Sequence, residues 1–137
     1  GNTEGYDYLA DVAYPFGYGL SYSDFAYEKI ESFKQDKKNI RVTVSVKNTS
    51  GRDGEEVVQL YASYPESKVE RPSKQLRAFR RIPIKAGETR KVTLTVPKEE
   101  LGYWNEGKQM FVVEPGTVKL LIGASSEDIR LEGKIRL

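Results

Sequence analysis

Two adjacent pairs of carboxylates are, by residue type, the side chains most able to do chemistry: Glu55-Glu56 and Glu99-Glu100. Hydrolysis by paired carboxylates needs one nucleophile and one acid–base group, ~5 Å apart around the scissile bond. Neighbours in a strand point to opposite faces, and neighbours in a turn point to water, so neither pair can converge on one bond. The sequence therefore predicts solvated surface carboxylates and no catalytic residue.

The other common chemistries lack their usual side chains. The 137 residues include no His and no Cys, which removes the commonest general base and the imidazole and thiolate metal ligands. Ser21 and Ser125-Ser126 therefore have no base to activate them. Asp53 lies near Glu55-Glu56, but these carboxylates follow no recognised calcium loop pattern. We expect no metal site and no cofactor.

Charge and hydropathy argue against two classes of partner. The chain has 22 basic and 20 acidic residues, a net charge of +2, which is too balanced to indicate nucleic acid or an anionic membrane. No apolar run approaches the ~20 residues that a membrane span needs, and residues 1–13 do not resemble a signal peptide. We expect neither nucleic acid nor a membrane as partner.

The strongest local charge is basic, and its role has two interpretations. The stretch contains Arg71, Lys74, Arg77, Arg80, Arg81 and Lys85. Such a cluster can clamp an acidic partner or nucleic acid. Alternatively, charged side chains blunt the edge of a sheet against pairing with another chain.

The elements that must position these residues are strands. Apolar residues alternate with polar ones at Ile40–Val46, Val92–Val96 and Ile129–Leu137, which indicates one buried and one solvated face. The Leu76–Ile84 segment breaks the alternation, which predicts a bulge or a change of sheet. About seven short strands between Gly, Asn and Pro turns predict an all-β, antiparallel sandwich of the fibronectin type III or immunoglobulin-like kind. Lys98–Leu101, after Pro97, is the one predicted helical turn.

An aromatic-rich segment precedes the first predicted strand. Pro15, Gly17 and Gly19 rule out a helix interior, and between and beside them lie Tyr14, Phe16, Tyr18, Leu20 and Tyr22. These side chains either stack on sugar rings or form a strap that packs on a neighbouring domain. We expect residues 1–24 to be the tail and strap, and residues 25–137 to be the sandwich. Trp104 has the same alternatives: core, domain contact or sugar platform.

Five segments, in order along the chain, resemble one known family. They are residues 14–25, 46–61, 71–79, 86–96 and 113–126. Together they closely resemble the C-terminal fibronectin type III-like domain of glycoside hydrolase family 3, the family of β-glucosidases, β-xylosidases and their relatives. Each segment alone is weakly specific, but the ordered set covers residues 14–131.

The resemblance implies an accessory role. In that family the nucleophile and the acid–base residue lie in preceding domains, and no counterpart is present here. It implies a non-catalytic domain that packs on the catalytic domains of its own parent chain, an enzyme that hydrolyses β-linked glycosides and is secreted or periplasmic. It also favours the strap interpretation of residues 14–22. The alternatives are an autonomous carbohydrate-binding module and a generic adhesion or interaction module.

The connection from Ser63 to Ser73 is long for a hairpin, and long loops are often functional. Its candidate residues are Tyr64, Glu66, Lys68, Glu70 and Arg71. Two interpretations stay open: a loop that reaches toward the active site of the parent enzyme, or an inert loop at a sheet edge.

Overall fold

The computed structural model describes residues 24–137. These residues form nine strands and a short 3-10 helix. In chain order the strands are β1 (Phe25–Gln35), β2 (Asn39–Asn48), β3 (Gly54–Ser63), β4 (Gln75–Ile84), β5 (Thr89–Pro97), β6 (Tyr103–Asn105), β7 (Met110–Val112), β8 (Thr117–Ser125) and β9 (Asp128–Arg136). The 3-10 helix, Lys98–Leu101, follows Pro97 as predicted. The predicted strap residues, Tyr14 to Tyr22, lie outside the described part of the chain.

The strands form two main sheets. One has the order β1-β2-β5, and the other has the order β4-β3-β8-β9. Strands β6 and β7 form a separate two-stranded sheet. All the paired strands are antiparallel, so the predicted antiparallel β-sandwich is confirmed.

The core lies between the two main sheets, where the predicted alternation puts it. Strand β2 pairs with β5 so that Val44 lies opposite Val92 and Val42 lies opposite Leu94. All four side chains are at most 1% exposed. From the other sheet, Leu60 and Ile122 reach the same cluster and are fully buried. The removal of this apolar surface from water is the main stabilising term of the fold.

The predicted alternation along Ile129–Leu137 is wrong at its beginning. Ile129 is half-buried and Arg130 is 4% exposed, whereas Leu131 and Ile135 face the core as expected. The cause is an irregular register between β8 and β9 around Gly123. A Cβ atom at Gly123 would lie 2.0 Å from the carbonyl oxygen of Asp128, so the close approach requires glycine.

Arg130 is accommodated because its polar atoms are bonded. It donates to both carboxylate oxygens of Asp128, at 2.5 and 2.8 Å, and to the carbonyl oxygen of Phe25 at 2.9 Å. Its guanidinium also lies 5.2 Å from the ring centroid of Tyr27. These contacts join the edge strand β1 of one sheet to the edge strand β9 of the other.

The break in periodicity along β4 is the predicted bulge. Leu60 pairs with Ala78 and Tyr61 pairs with Leu76, so Arg77 is an extra residue on β4. The bulge changes which residues face outward, and Leu76 and Phe79 are 43% and 63% exposed.

Asn48, the last residue of β2, fixes the turn that leads from one main sheet to β3 of the other. Its side-chain amide donates to the carbonyl oxygens of Arg52 at 2.8 Å and Ile84 at 2.9 Å. Its Oδ1 accepts from the amide and the hydroxyl of Ser50. Asn48 is 0% exposed, so its conformation is fixed by four hydrogen bonds.

We predict that Asn48→Asp lowers the free energy of unfolding by about 1–3 kcal/mol, because a carboxylate cannot donate to the two buried carbonyl oxygens. Asn105→Asp is the control, since Oδ1 of Asn105 accepts from the Lys108 amide and that acceptor is kept. Urea unfolding of both variants measures the difference. Equal losses would show that Asn48 is an ordinary turn residue.

Asp36 holds the turn between β1 and β2. Its Oδ1 accepts from the amides of Lys38 and Asn39, both at 2.8 Å, and its Oδ2 accepts from Arg41 at 3.0 Å. The Asn39 and Lys38 amides, followed by Arg41, lower the pKa of Asp36 to about 2.

A lowered carboxyl pKa stabilises the fold above the unfolded-state pKa of ~4, and that contribution is lost as the pH falls through the folded-state value. We therefore predict that the stability difference between the parent sequence and Asp36→Asn is constant above pH ~5 and shrinks between pH ~4 and ~2. Urea midpoints across this range test it, with the exposed Glu127→Gln as control. A difference that does not change with pH would contradict the assignment.

Candidate functional site: the clamped β6–β7 hairpin

The side chain of Arg71, predicted as part of the Ser63–Ser73 loop, points into the domain. It is 6% exposed, and its Nη2 lies 2.9 Å from Oε1 of Glu114, whose side chain is 18% exposed. Its Nη1 donates to the carbonyl oxygen of Leu101 at 3.1 Å. A buried guanidinium is tolerated only where such partners replace water.

The carboxylate of Glu114 accepts several hydrogen bonds from the same loop. Besides Arg71, it accepts from the hydroxyl of Ser67 at 2.7 Å and from the amide of Lys68 at 3.0 Å. The Lys68 amide, with the Ser67 hydroxyl and the Arg71 guanidinium, holds the pKa of Glu114 below its usual value against the opposing effect of desolvation. The carboxylate is therefore charged at neutral pH and fixes the loop to the segment before β8.

Two tyrosine rings lie near the Arg71 guanidinium. Its central carbon lies 3.9 Å from the ring centroid of Tyr64 and 5.2 Å from that of Tyr103. Cation–π contacts of this kind are worth more when water is excluded. Burial raises the pKa of Tyr64, and the charge of Arg71 opposes this shift. Arg71 thus binds the loop to the first residue of β6.

These contacts hold both ends of the β6–β7 hairpin. Leu101 and Tyr103, at its beginning, and Glu114, just after its end, all contact Arg71. The ends also approach each other closely, because a Cβ at Gly102 would lie 2.7 Å from the carbonyl oxygen of Val112. The hairpin is therefore clamped at its base by one buried side chain.

The outer face of the hairpin is apolar and exposed. Trp104 pairs with Phe111 across the two strands, with ring centroids 5.3 Å apart and planes inclined at 76°. Trp104 is 43% exposed and Phe111 is 63% exposed. Val113, two residues after Phe111, is 39% exposed. Met110 is exposed as well, but it pairs with Asn105 and, as the neighbour of Phe111 in β7, points to the opposite face of the hairpin. We call Trp104, Phe111 and Val113 the hairpin patch.

The other loop candidates divide into two groups. Glu66 accepts from the Thr117 amide at 3.1 Å, which lowers the pKa of Glu66, and it lies 3.9 Å from Arg136. Lys68 and Glu70 are exposed. Tyr64, Glu66 and Arg71 thus contact this domain itself, and Lys68 and Glu70 are the loop candidates whose side chains face solvent.

The basic stretch closes the open edges of β4 and β5. Arg77 donates to the carbonyl oxygen of Glu100 at 2.8 Å, and Arg80 donates to that of Thr93 at 3.4 Å. From the opposite strand, Arg90 donates to the carbonyl oxygen of Pro83 at 2.9 Å. The bonds to Thr93 and Pro83 occupy carbonyl groups of the two edge strands, which would otherwise be open to pairing with another strand, as the edge interpretation expects. The bond to Glu100 joins β4 to the 3-10 helix.

The two carboxylate pairs lie in different settings, and Glu99-Glu100 is exposed in the first turn of the 3-10 helix. Glu55 is exposed and lies 3.0 Å from Arg81, while Glu56 accepts from the Tyr27 hydroxyl at 2.9 Å. Burial raises the pKa of Glu56. Within residues 24–137 no group of three acidic side chains is arranged to hold a metal ion. In the same part of the chain, no helix is long and apolar enough to cross a membrane.

A family model for the fibronectin type III-like domain matches residues 56–126, from β3 to the end of β8. This chain belongs to that family. Thermostable beta-glucosidase B of Acetivibrio thermocellus is 40% identical over 127 residues, which cover 90% of this chain and 17% of that protein. The resemblance to the fibronectin type III-like domain of glycoside hydrolase family 3 is confirmed.

Comparison with solved structures gives the same resemblance. The crystal structure of beta-glucosidase from Kluyveromyces marxianus in complex with glucose matches with a TM-score of 0.80 and 38% identity, over 92% of this domain and 15% of that chain. The GH3 beta-glucosidase of Bifidobacterium adolescentis matches with a TM-score of 0.79 and 36% identity, over 90% of this domain and 18% of that chain. The domain therefore spans less than a fifth of the length of these relatives.

Sequence reasoning missed the hairpin as a separate sheet. Sequence patterning predicts turns rich in Gly and Asn, but it does not place Trp104 and Phe111 opposite each other. The available signal is a Tyr-Trp pair and a Met-Phe-Val run on either side of Asn105–Gly107. The sequence assigns Arg71 to the loop and to the basic stretch, and it does not link Arg71 to Glu114, 43 residues away.

We predict that Arg71→Met lowers the free energy of unfolding by about 3 kcal/mol, because it leaves the carboxylate of Glu114 partly buried without its cation. Adding Glu114→Gln should recover part of the loss, since the remaining group is then neutral. Urea unfolding of the single and double variants measures both effects.

The control is Arg81→Met, which breaks the exposed pair with Glu55 and should cost less than about 1 kcal/mol. A loss for Arg71→Met no larger than for Arg81→Met would contradict the clamp.

Proposed function

We propose that this domain is the non-catalytic C-terminal accessory domain of a larger glycoside hydrolase family 3 enzyme and packs on the catalytic domains of that enzyme. The observation that carries the proposal is the coverage: 85–94% of this chain matches only 14–19% of several β-glucosidases. The parent enzyme hydrolyses β-linked glycosides, and catalysis belongs to the part of it that this domain does not match.

The described part of the domain supports this division of labour. Its candidate carboxylates are solvated or engaged with neighbouring side chains, and the sequence has no His to act as a general base. The polar cluster around Arg71 and Glu114 joins the Ser63–Ser73 loop to the segment before β8. The arrangement suits a rigid scaffold.

Three finer parts of the proposal rest on the sequence and the family resemblance. Residues Tyr14, Phe16, Tyr18, Leu20 and Tyr22 form the strap that contacts the catalytic domains. The parent enzyme is secreted or periplasmic. Of the Ser63–Ser73 loop, Lys68 and Glu70 are the residues with side chains free to approach an active site.

A carbohydrate-binding module is the second candidate, and the exposed rings of Trp104 and Phe111 favour it. Sugar rings stack on flat, accessible aromatic faces. The edge-to-face arrangement of this pair offers no shared plane, so the accessory role is preferred.

We predict that the isolated chain does not turn over aryl β-glucosides or β-xylosides, and that Phe16→Ala destabilises the parent enzyme more than the isolated chain. Burial of Phe16 against the catalytic domains would contribute about 1.5–3 kcal/mol. Thermal unfolding of both proteins, with and without the change, provides the comparison. Turnover abolished by the loss of one carboxylate, or equal losses of stability, would each refute the corresponding part.

A further inference from the structure

We propose that the hairpin patch, formed by Trp104, Phe111 and Val113, is the surface through which this domain docks on the catalytic part of its parent chain. This inference rests on the proposed accessory function and names the residues that carry it out. It is independent of the strap, which lies elsewhere in the sequence.

The first argument is the concentration of exposed apolar surface. Six large hydrophobic side chains are exposed among residues 24–137, and four of them lie in or directly after this one hairpin. Three of the four, Trp104, Phe111 and Val113, form the patch, and clustered exposed apolar side chains mark interaction surfaces. Trp and Phe are also residue types enriched at the cores of protein interfaces.

The second argument is that the hairpin is not part of the sandwich and yet is held in place. Its strands have three residues each and join neither main sheet. A lone two-stranded sheet is marginally stable in water. The domain nevertheless holds it with a buried ion pair and a close backbone approach at Gly102. A rigid, exposed patch loses little conformational entropy when it binds.

The third argument concerns the occupant. Glu106, Lys108 and Gln109 lie in the turn at the tip of the hairpin and are exposed, which gives the patch a polar border at that end with no net charge. Such a border fits a protein surface and offers nothing to an anionic polymer. Val113 has neither a flat ring nor a hydrogen-bonding group for a sugar.

The small size of the patch favours the parent chain over a second copy of this chain as the partner. Stable complexes between separate proteins bury about 800 Å² and about 20–30 residues on each partner, whereas the patch consists of three side chains and a short turn. Within one polypeptide the effective concentration of the partner surface is in the millimolar range, so a smaller contact suffices. The relatives leave more than four-fifths of their length outside the match, and that remainder supplies the partner.

The test compares two phenylalanines of equal exposure. Phe111 and Phe79 are both 63% exposed and both lie in strands, but Phe79 lies on β4 among arginines. Phe111→Ser should lower the Tm of the parent enzyme by about 2–4 °C and leave the Tm of the isolated chain nearly unchanged. Phe79→Ser should change neither.

Phe111→Ser also removes the contact with Trp104 and can therefore weaken the hairpin itself. A second pair of substitutions distinguishes that effect from a loss of docking. Val113→Glu places a charge in the patch without removing a ring contact, and Leu76→Glu is its control on β4, because the two side chains are 39% and 43% exposed. Only Val113→Glu should lower the Tm of the parent enzyme. Equal effects of the two substitutions in both pairs would overturn the proposal.

The remaining outcomes are separable. If removal of residues 25–137 leaves the stability of the parent enzyme unchanged, the accessory function itself fails. If that removal destabilises the enzyme but Phe111→Ser and Val113→Glu do not, only the hairpin patch is wrong. Binding of cello-oligosaccharides that Phe111→Ser abolishes, or a dimer of the isolated chain that Val113→Glu disrupts, would assign the patch to a glycan or to a second copy and overturn the proposal.

Discussion

The buried guanidinium of Arg71 is the interaction on which the functional end of this domain depends. A cation withdrawn from water needs protein groups that compensate its charge and accept from its donors. Arg71 has Glu114, the carbonyl of Leu101 and two tyrosine rings as partners, while its Nε is buried without a hydrogen-bond partner among the described residues. Because the partners come from three separate segments of the chain, one side chain holds the loop, the 3-10 helix and the hairpin together.

Arginine side chains also connect the two main sheets along their edges. A two-sheet sandwich has two sides on which sheet edges face each other, and arginines bridge both of them. Arg130 bonds β9 to the beginning of β1, and Arg80 and Arg90 bond β4 to β5. The apolar core sets the distance between the sheets, and the arginines protect its two open sides from water and from pairing with other strands.

The sequence predicts most of the sandwich because its signal is local. Residues 40–46 and 92–96 alternate strictly, and both segments are core strands with the predicted faces inward. The prediction failed at Ile129 and Arg130, where a close backbone approach at Gly123 shifts the register. Polar pattern alone assigned Arg130 to solvent, because its partners lie in a bulge and on another sheet.

The candidate site was only partly predictable for a related reason. Arg71 and Tyr64 are two of the five candidate residues that the sequence offers in the Ser63–Ser73 loop. Their roles depend on Glu114 and Tyr103, which lie more than 30 positions away in sequence. The exposure of Trp104 and Phe111 follows from the isolation of the hairpin from both main sheets, and no local pattern encodes that isolation.

The central claim is that the domain presents a rigid hairpin to the rest of its parent chain. Amide hydrogen exchange at residues 103–112 tests it most directly, when the isolated chain and the full-length parent enzyme are compared under one set of conditions. We expect slower exchange in the parent enzyme at these residues and unchanged exchange at residues 75–84 of β4. Equal exchange at residues 103–112 in the two proteins would contradict the claim.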